Sequence, residues 1–122
     1  MNFNNNNKAI YMQIADKLCD EVMLGTINCG ERIPSVREYA SRLEVNANTV
    51  MRSYEYLERS GIIYNRRGIG FFISENARET ITALRREPFF NDEIGYFLRQ
   101  LMTLDISPDE LKTISSNYLN RQ

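Results

Sequence analysis

A chain of 122 residues, 43% hydrophobic and 25% charged, suffices for one compact domain, or a small domain with an appendage, and is too short for a large enzyme core. Its net charge is −1 and it contains no His, which removes the commonest general base and the commonest zinc ligand, so no catalysis, metal site or cofactor is expected. No apolar run approaches the ~20 residues that cross a bilayer, and the start MNFNNNNK lacks the apolar centre of a signal peptide; a cytoplasmic protein is predicted.

The Asn-rich start, Asn4 to Asn7, reads as a flexible lead-in. Apolar residues then recur at Ile10, Ile14, Leu18 and Val22, the spacing of an amphipathic helix. Gly25, Asn28 and Gly30 break it, and Gly30 to Pro34 reads as a turn. The two cysteines, Cys19 and Cys29, lack CxxC spacing and read as unpaired structural thiols.

Ser35-Val36-Arg37-Glu38 matches a capping box, in which hydroxyl and carboxylate reciprocally satisfy free amides at a helix start. It predicts a short second helix ending near Leu43. Glu44-Val45-Asn46 leaves room only for a tight turn, and Asn46 can cap a third helix from Ala47 to about Ser60, stopped by Gly61. Two helices joined by so short a turn make a helix-turn-helix, whose second member enters the major groove. Strand-like residues follow, Ile62 to Tyr64 and Ile69 to Ile73, around a turn read at Asn65 to Gly68. This hairpin is the wing of a winged helix.

From about Asn76 the spacing is helical again, at Ile81 and Leu84, then at Ile94, Phe97, Leu98, Leu101 and Leu104, with Pro88 kinking or dividing the run. Ser107 to Glu110 is a second capping box with Pro at the first helical position, before a last stripe of Leu111, Ile114 and Tyr118. The fold expected is mainly α with a small β-hairpin (α+β): a winged helix-turn-helix domain over 1–75 and a helical dimerisation tail over 76–122.

Placement of charge is more telling than its total. Between Arg32 and Arg67 there are seven basic residues, all Arg, and four acidic ones. The planar guanidinium suits bidentate contact with phosphate and guanine. On a helical wheel Val50, Tyr54 and Leu57 of the third helix form the core face, edged by Ala47 and Gly61, and Asn48, Arg52, Glu55 and Arg59 lie opposite, flanked by Thr49 and Tyr56. Short polar groups at the helix start let it approach base edges. Tyr39 and Tyr54 read as core, not as stacking platforms.

Three segments, Gly30 to Glu38, Val45 to Val50, and Gly61-Ile62-Ile63 with Gly68 to Ile73, resemble the GntR family of bacterial regulators, over about residues 9 to 74. Val45-Asn46-Ala47-Asn48-Thr49-Val50 with so short a tail is similar to the YtrA subfamily. The resemblance implies DNA contacts at Arg37, at Asn46, Ala47, Asn48 and Thr49, and at Arg67-Gly68. Ala47 stands where members often have Arg or Pro, and Met51 where some subfamilies place a DNA-contacting Arg, which shifts base readout towards Asn48, Thr49 and Arg52. Phe71 replaces a frequent Thr. Arg66 joins Arg67 as a wing contact.

The function expected is a sequence-specific DNA-binding transcription regulator, a repressor on an inverted-repeat operator. The subfamily resemblance implies that a transporter operon is its target. The alternative, a winged-helix module that binds protein, calls for an apolar or acidic third helix, unlike Asn48, Thr49 and Arg52. The tail carries more large apolar residues than its short helices can bury, so Phe90, Ile94, Phe97, Leu98, Leu101, Leu111, Ile114 and Tyr118 are expected to form a homodimer interface. Packing back on Met12, Cys19 and Met23 of the first helix is the competing arrangement. Such short helices leave no walls for a metabolite pocket of ~300 Å³, so no small-molecule effector is expected, and no membrane partner.

Overall fold

The computed structural model describes residues 8–121, so the Asn4 to Asn7 lead-in lies outside the described residues. Helix α1 runs Ile10–Leu24 and buries Ile14, Ala15, Leu18, Cys19 and Val22. Ile10, read as part of that stripe, is half exposed: it is the helix's first residue. At the other end Gly25 takes the left-handed conformation and its N–H donates to the Val22 carbonyl. Arg78 also donates from Nη1 to the carbonyls of Val22 (2.7 Å) and Met23 (3.1 Å), satisfying acceptors that a helix end leaves open.

The Ser35 capping box forms on both sides and starts α2, Val36–Leu43. The hydrogen bonds from Ser35 hold the Glu38 carboxyl below the usual carboxylate range, helped by Arg42 and Arg32. Glu44, left-handed at φ 57°, turns the chain out of α2 within the predicted tight turn. Helix α3, Ala47–Arg59, begins at Asn46, whose side-chain oxygen accepts from the Asn48 N–H at 2.8 Å. It buries Val50, Ser53, Tyr54 and Leu57 and packs against α1, α2 and the strand that follows. Ala47 and Gly61, placed at the edges of that face, are exposed.

Strands β1, Ile63–Arg66, and β2, Gly70–Ile73, pair antiparallel with Ile63 opposite Ile73 and Arg66 opposite Gly70. The turn is therefore tighter than Asn65 to Gly68. Asn65 and Arg66 belong to β1, and Ile69 N–H closes the turn on the Arg66 carbonyl at 2.8 Å. Gly68, at φ 78°, takes the conformation that a side chain would oppose.

Gly30 to Pro34, read as a turn, does more than turn. The Ile33 N–H donates to the Phe71 carbonyl and the Ile73 N–H to that of Glu31, both at 2.9 Å, and Arg32 bridges Phe72. This short third rung fastens the wing to the α1–α2 connection. Around it Tyr54 meets Phe71 edge-to-face at 5.0 Å, and its hydroxyl donates to the Pro34 carbonyl at 2.6 Å.

Helix α4, Ala77–Pro88, buries Ala77 and Ile81. The chain forms two compact units, one reaching to Ala83 and one beginning at Leu84, so the division falls within α4 rather than at its start. In the second unit Phe89–Glu93 form a π-helical turn directly after Pro88, which lacks the N–H of a regular turn. Helices α5, Ile94–Thr103, and α6, Pro108–Asn120, follow. Of the capping box expected at α6, the Ser107 half is formed: its hydroxyl accepts from the Glu110 N–H at 3.1 Å.

Candidate nucleic-acid interface

The start of α3 presents Asn46, Ala47 and Asn48 to solvent, followed on later turns by Met51, Arg52, Glu55 and Arg59. This is the face opposite Val50, Tyr54 and Leu57, all of which are fully buried. Thr49, at the flank, is half-buried, and its carbonyl accepts from Ser53 Oγ at 3.1 Å. Asn46 is first of all the cap, leaving its amide N–H groups for another partner. The first turn of α3 holds no acidic residue, so nothing there opposes the attraction of the helix N-terminus for phosphate. Ala47 and Met51, with 43% of Met51 exposed, form a small apolar step beside the polar start.

Arg37, in the first turn of α2, is exposed. So are the other six arginines between Arg32 and Arg67. In the wing Arg67 and Gly68 occupy the turn, whereas Arg66 is the last residue of β1, its guanidinium 5.6 Å from the Phe72 ring centre. Phe72 in turn stacks on Tyr64 at 5.7 Å. The wing thus carries an aromatic layer beneath its basic tip.

Arg52 is not an isolated surface charge. Its guanidinium lies over the ring of Tyr11, 4.2 Å from the centre, and the adjacent Ser53 hydroxyl donates to the Tyr11 carbonyl at 2.6 Å. Tyr11 was missed at the sequence level because it stands outside the apolar stripe of α1. Tyr39 and Tyr54 are core, as expected. The Tyr39 hydroxyl is buried with no hydrogen-bond partner among the described residues; burial, with Glu21 nearby, pushes its pKa up to about 12 against the pull of Arg42. Burial raises Tyr54 as well.

Of the expected dimer residues, Phe90, Phe97, Leu98, Ile114 and Tyr118 are exposed, and Ile94, Leu101 and Leu111 are half-buried. Neither α5 nor α6 buries a residue. Among the described residues no group of three or more Asp, Glu, Cys or His is placed to hold a metal, and no helix is long and apolar enough to cross a membrane.

Known proteins share this arrangement. A family model described as bacterial regulatory proteins, gntR family, matches residues 10–73. The transcriptional regulator YhcF of Bacillus subtilis is 36% identical over 104 residues, 85% of this chain and 84% of YhcF. The transcriptional repressor YtrA of the same organism is 44% identical over 72 residues, 59% of this chain and 55% of YtrA. A crystal structure of a GntR-family regulator from Bacteroides thetaiotaomicron is 53% identical, covers 93% of this chain and 99% of its own, and superposes with a TM-score of 0.74. The match spans α1 through β2, the elements that carry the exposed start of α3 and the wing, and on these grounds the chain belongs to the GntR family, as a YtrA-like DNA-binding transcription regulator and not an enzyme.

Proposed function

We propose that this protein is a repressor that occupies an inverted-repeat operator as a two-fold dimer, α3 of each protomer in a major groove and each wing against the flanking backbone. The observation that carries the proposal is the exposed, acid-free start of α3, Asn46 to Asn48, in one compact unit with Arg37 and the Arg67-Gly68 wing turn. Asn48 and Thr49 read base edges, the Ala47–Met51 step suits thymine methyl groups, and Arg37, Arg52, Arg66 and Arg67 meet phosphate or the minor groove. Repression is supported by the similarity to YtrA, which is named a transcriptional repressor. The subfamily resemblance makes a transporter operon the first target to test.

Dimerisation is assigned to the tail, where Phe90, Phe97, Leu98, Ile114 and Tyr118 keep roughly half of their surface or more exposed. So much apolar area on short helices is satisfied by a second copy. Two-fold symmetry then sets half-sites about 10 bp, or a multiple of that, apart. The proposal makes no use of an effector pocket in the tail.

The test is a binding titration of the full chain on the DNA upstream of its own gene, across a salt series. Tight binding that falls steeply with salt is expected, because neutralised phosphates release counterions. Equal affinity for that region and for random duplex would reject specific regulation at this site.

A further inference from the structure

We propose that Tyr11, in the first turn of α1, is a positioning residue for DNA binding: its ring holds the Arg52 guanidinium in the pose in which it meets a backbone phosphate. This rests on the reading of α3 as the groove helix and extends the interface onto α1.

Three observations converge on the pair. The guanidinium carbon lies over the Tyr11 ring, 4.2 Å from its centre, within the range where a cation is held by an aromatic quadrupole. Arg52 remains exposed, and a guanidinium held by its face keeps its N–H edge for phosphate. The backbone that carries the ring is held beside Arg52, because Ser53, the next residue of α3 and fully buried, donates to the Tyr11 carbonyl at 2.6 Å. The first turn of α1 is thus pinned to α3 beside the arginine that it orients.

The sequence places Arg52 among the base readers; its position on α3 and its contact with Tyr11 favour phosphate instead. Groove helices read bases with their N-terminal residues, here Asn46 to Thr49. Arg52 lies almost a full turn beyond Thr49 and reaches across to α1, where its guanidinium sits over Tyr11, so it is assigned to the backbone and not to a base edge. An unstacked arginine on a helix surface samples many rotamers and must lose that freedom when it binds. Arg52 has already been ordered by Tyr11, so its phosphate contact is formed with a smaller loss.

The experiment uses the full chain and a duplex selected by the parent protein from a random pool, with affinity followed by fluorescence anisotropy across a KCl series. Arg52→Gln should weaken binding to selected and random duplex alike and lower the salt slope by about one. Tyr11→Leu should weaken binding about three- to tenfold, as expected for losing one stack and its preorganisation. Tyr11→Phe, which keeps the ring, should bind as the parent does. In the Arg52→Gln background Tyr11→Leu should have no further effect, because the residue acts only through Arg52. Thermal melting confirms that each variant is folded, and the Arg52 side-chain protons should show an upfield ring-current shift in the parent and in Tyr11→Phe.

Parent-like affinity for Tyr11→Leu, or the same loss with and without Arg52, would overturn the proposal, as would a Tyr11→Phe loss as large as that of Tyr11→Leu. Should Tyr11→Leu not fold, the parent's Arg52 resonances decide: random-coil positions overturn the stack. Failure of the underlying reading looks different, since the parent would then select no duplex at all.

Discussion

The two units of this chain put similar apolar material to opposite uses. All of the buried apolar core described lies between Ile14 and Ile81, gathered from three helices, the α1–α2 connection at Ile33, the hairpin region and the start of α4. Beyond it Phe89, Phe90, Phe97, Leu98, Leu104, Ile114, Tyr118 and Leu119 stay exposed. A unit with a closed core can fold alone, whereas one whose large side chains face solvent is built to be completed by something else. Under the function proposed above the division has a use: the first unit would carry recognition, and the second would set how many recognition helices meet the operator.

The strongest way to break that comparison is to separate the units. A chain ending after Ala83 keeps Ala77 and Ile81 in the core and should be folded and monomeric by light scattering. Its affinity for the full operator should fall by about 10²- to 10⁴-fold, since the second half-site no longer gains from the first. A chain ending at Asn76 loses both core residues and should melt at markedly lower temperature. A dimeric 1–83 fragment would move the interface out of the tail.

Single truncations give the same contrast on a smaller scale. Ile81, 1% exposed, and Ile114, 49% exposed, are chemically identical probes of the two units. Ile81→Ala should cost about 2–4 kcal/mol in denaturant unfolding, the range for a buried aliphatic replaced by Ala. Ile114→Ala, measured where the chain is monomeric, should change stability by under ~0.5 kcal/mol and instead weaken self-association at higher concentration. Equal costs would mean that the tail has its own closed core.

Asn48 asks whether the recognition unit reads sequence as well as charge. Its exposed side chain makes no cap, so Asn48→Ala should leave the melting temperature nearly unchanged. Specific binding should weaken by about 1–3 kcal/mol with little change on random duplex. A loss of the same size on both duplexes would demote Asn48 to a backbone contact.

How much of this was legible beforehand follows the range of the forces involved. The helices of the first unit, their caps at Ser35 and Asn46, and the core face of Val50, Tyr54 and Leu57 are written in local patterns a few residues long. What escaped depends on pairing at a distance. Asn65 and Arg66 have poor strand propensity and read as a turn, yet they pair with Phe71 and Gly70 because the hairpin's register demands it. The rung at Glu31 to Ile33 ends at Pro34, a residue that itself signals a turn. At the interface Arg52 was visible on its own wheel, but its stack on Tyr11 joins residues 41 positions apart, which no single-helix pattern contains. In α4, Ala77 and Ile81 belong by burial to the first unit, although the helical spacing that they open continues into the second.

The smallest expected effect lies inside the closed core. Tyr39 is 6% exposed and its hydroxyl has no partner among the described residues, unlike that of Tyr54, which donates to the Pro34 carbonyl. A buried hydroxyl without a hydrogen bond has lost its hydration and gained nothing, so its removal at constant ring shape should help. Tyr39→Phe is expected to raise unfolding stability by about 1 kcal/mol at neutral pH, read from denaturant midpoints. Alkaline titration supplies an independent check. The unfolded phenol titrates near pH 10, and in the folded chain burial holds it up to about 12. As pH rises above 10 the unfolded state therefore releases a proton that the folded state keeps, and stability, complete below that pH, declines towards the folded value. Tyr39→Phe should make this decline shallower by up to one proton, while Tyr54, whose pKa is also raised, keeps its own share. A variant that is less stable at neutral pH, with an unchanged alkaline limb, would show that the hydroxyl has a partner in solution and that the core is less closed around Tyr39 than its burial indicates.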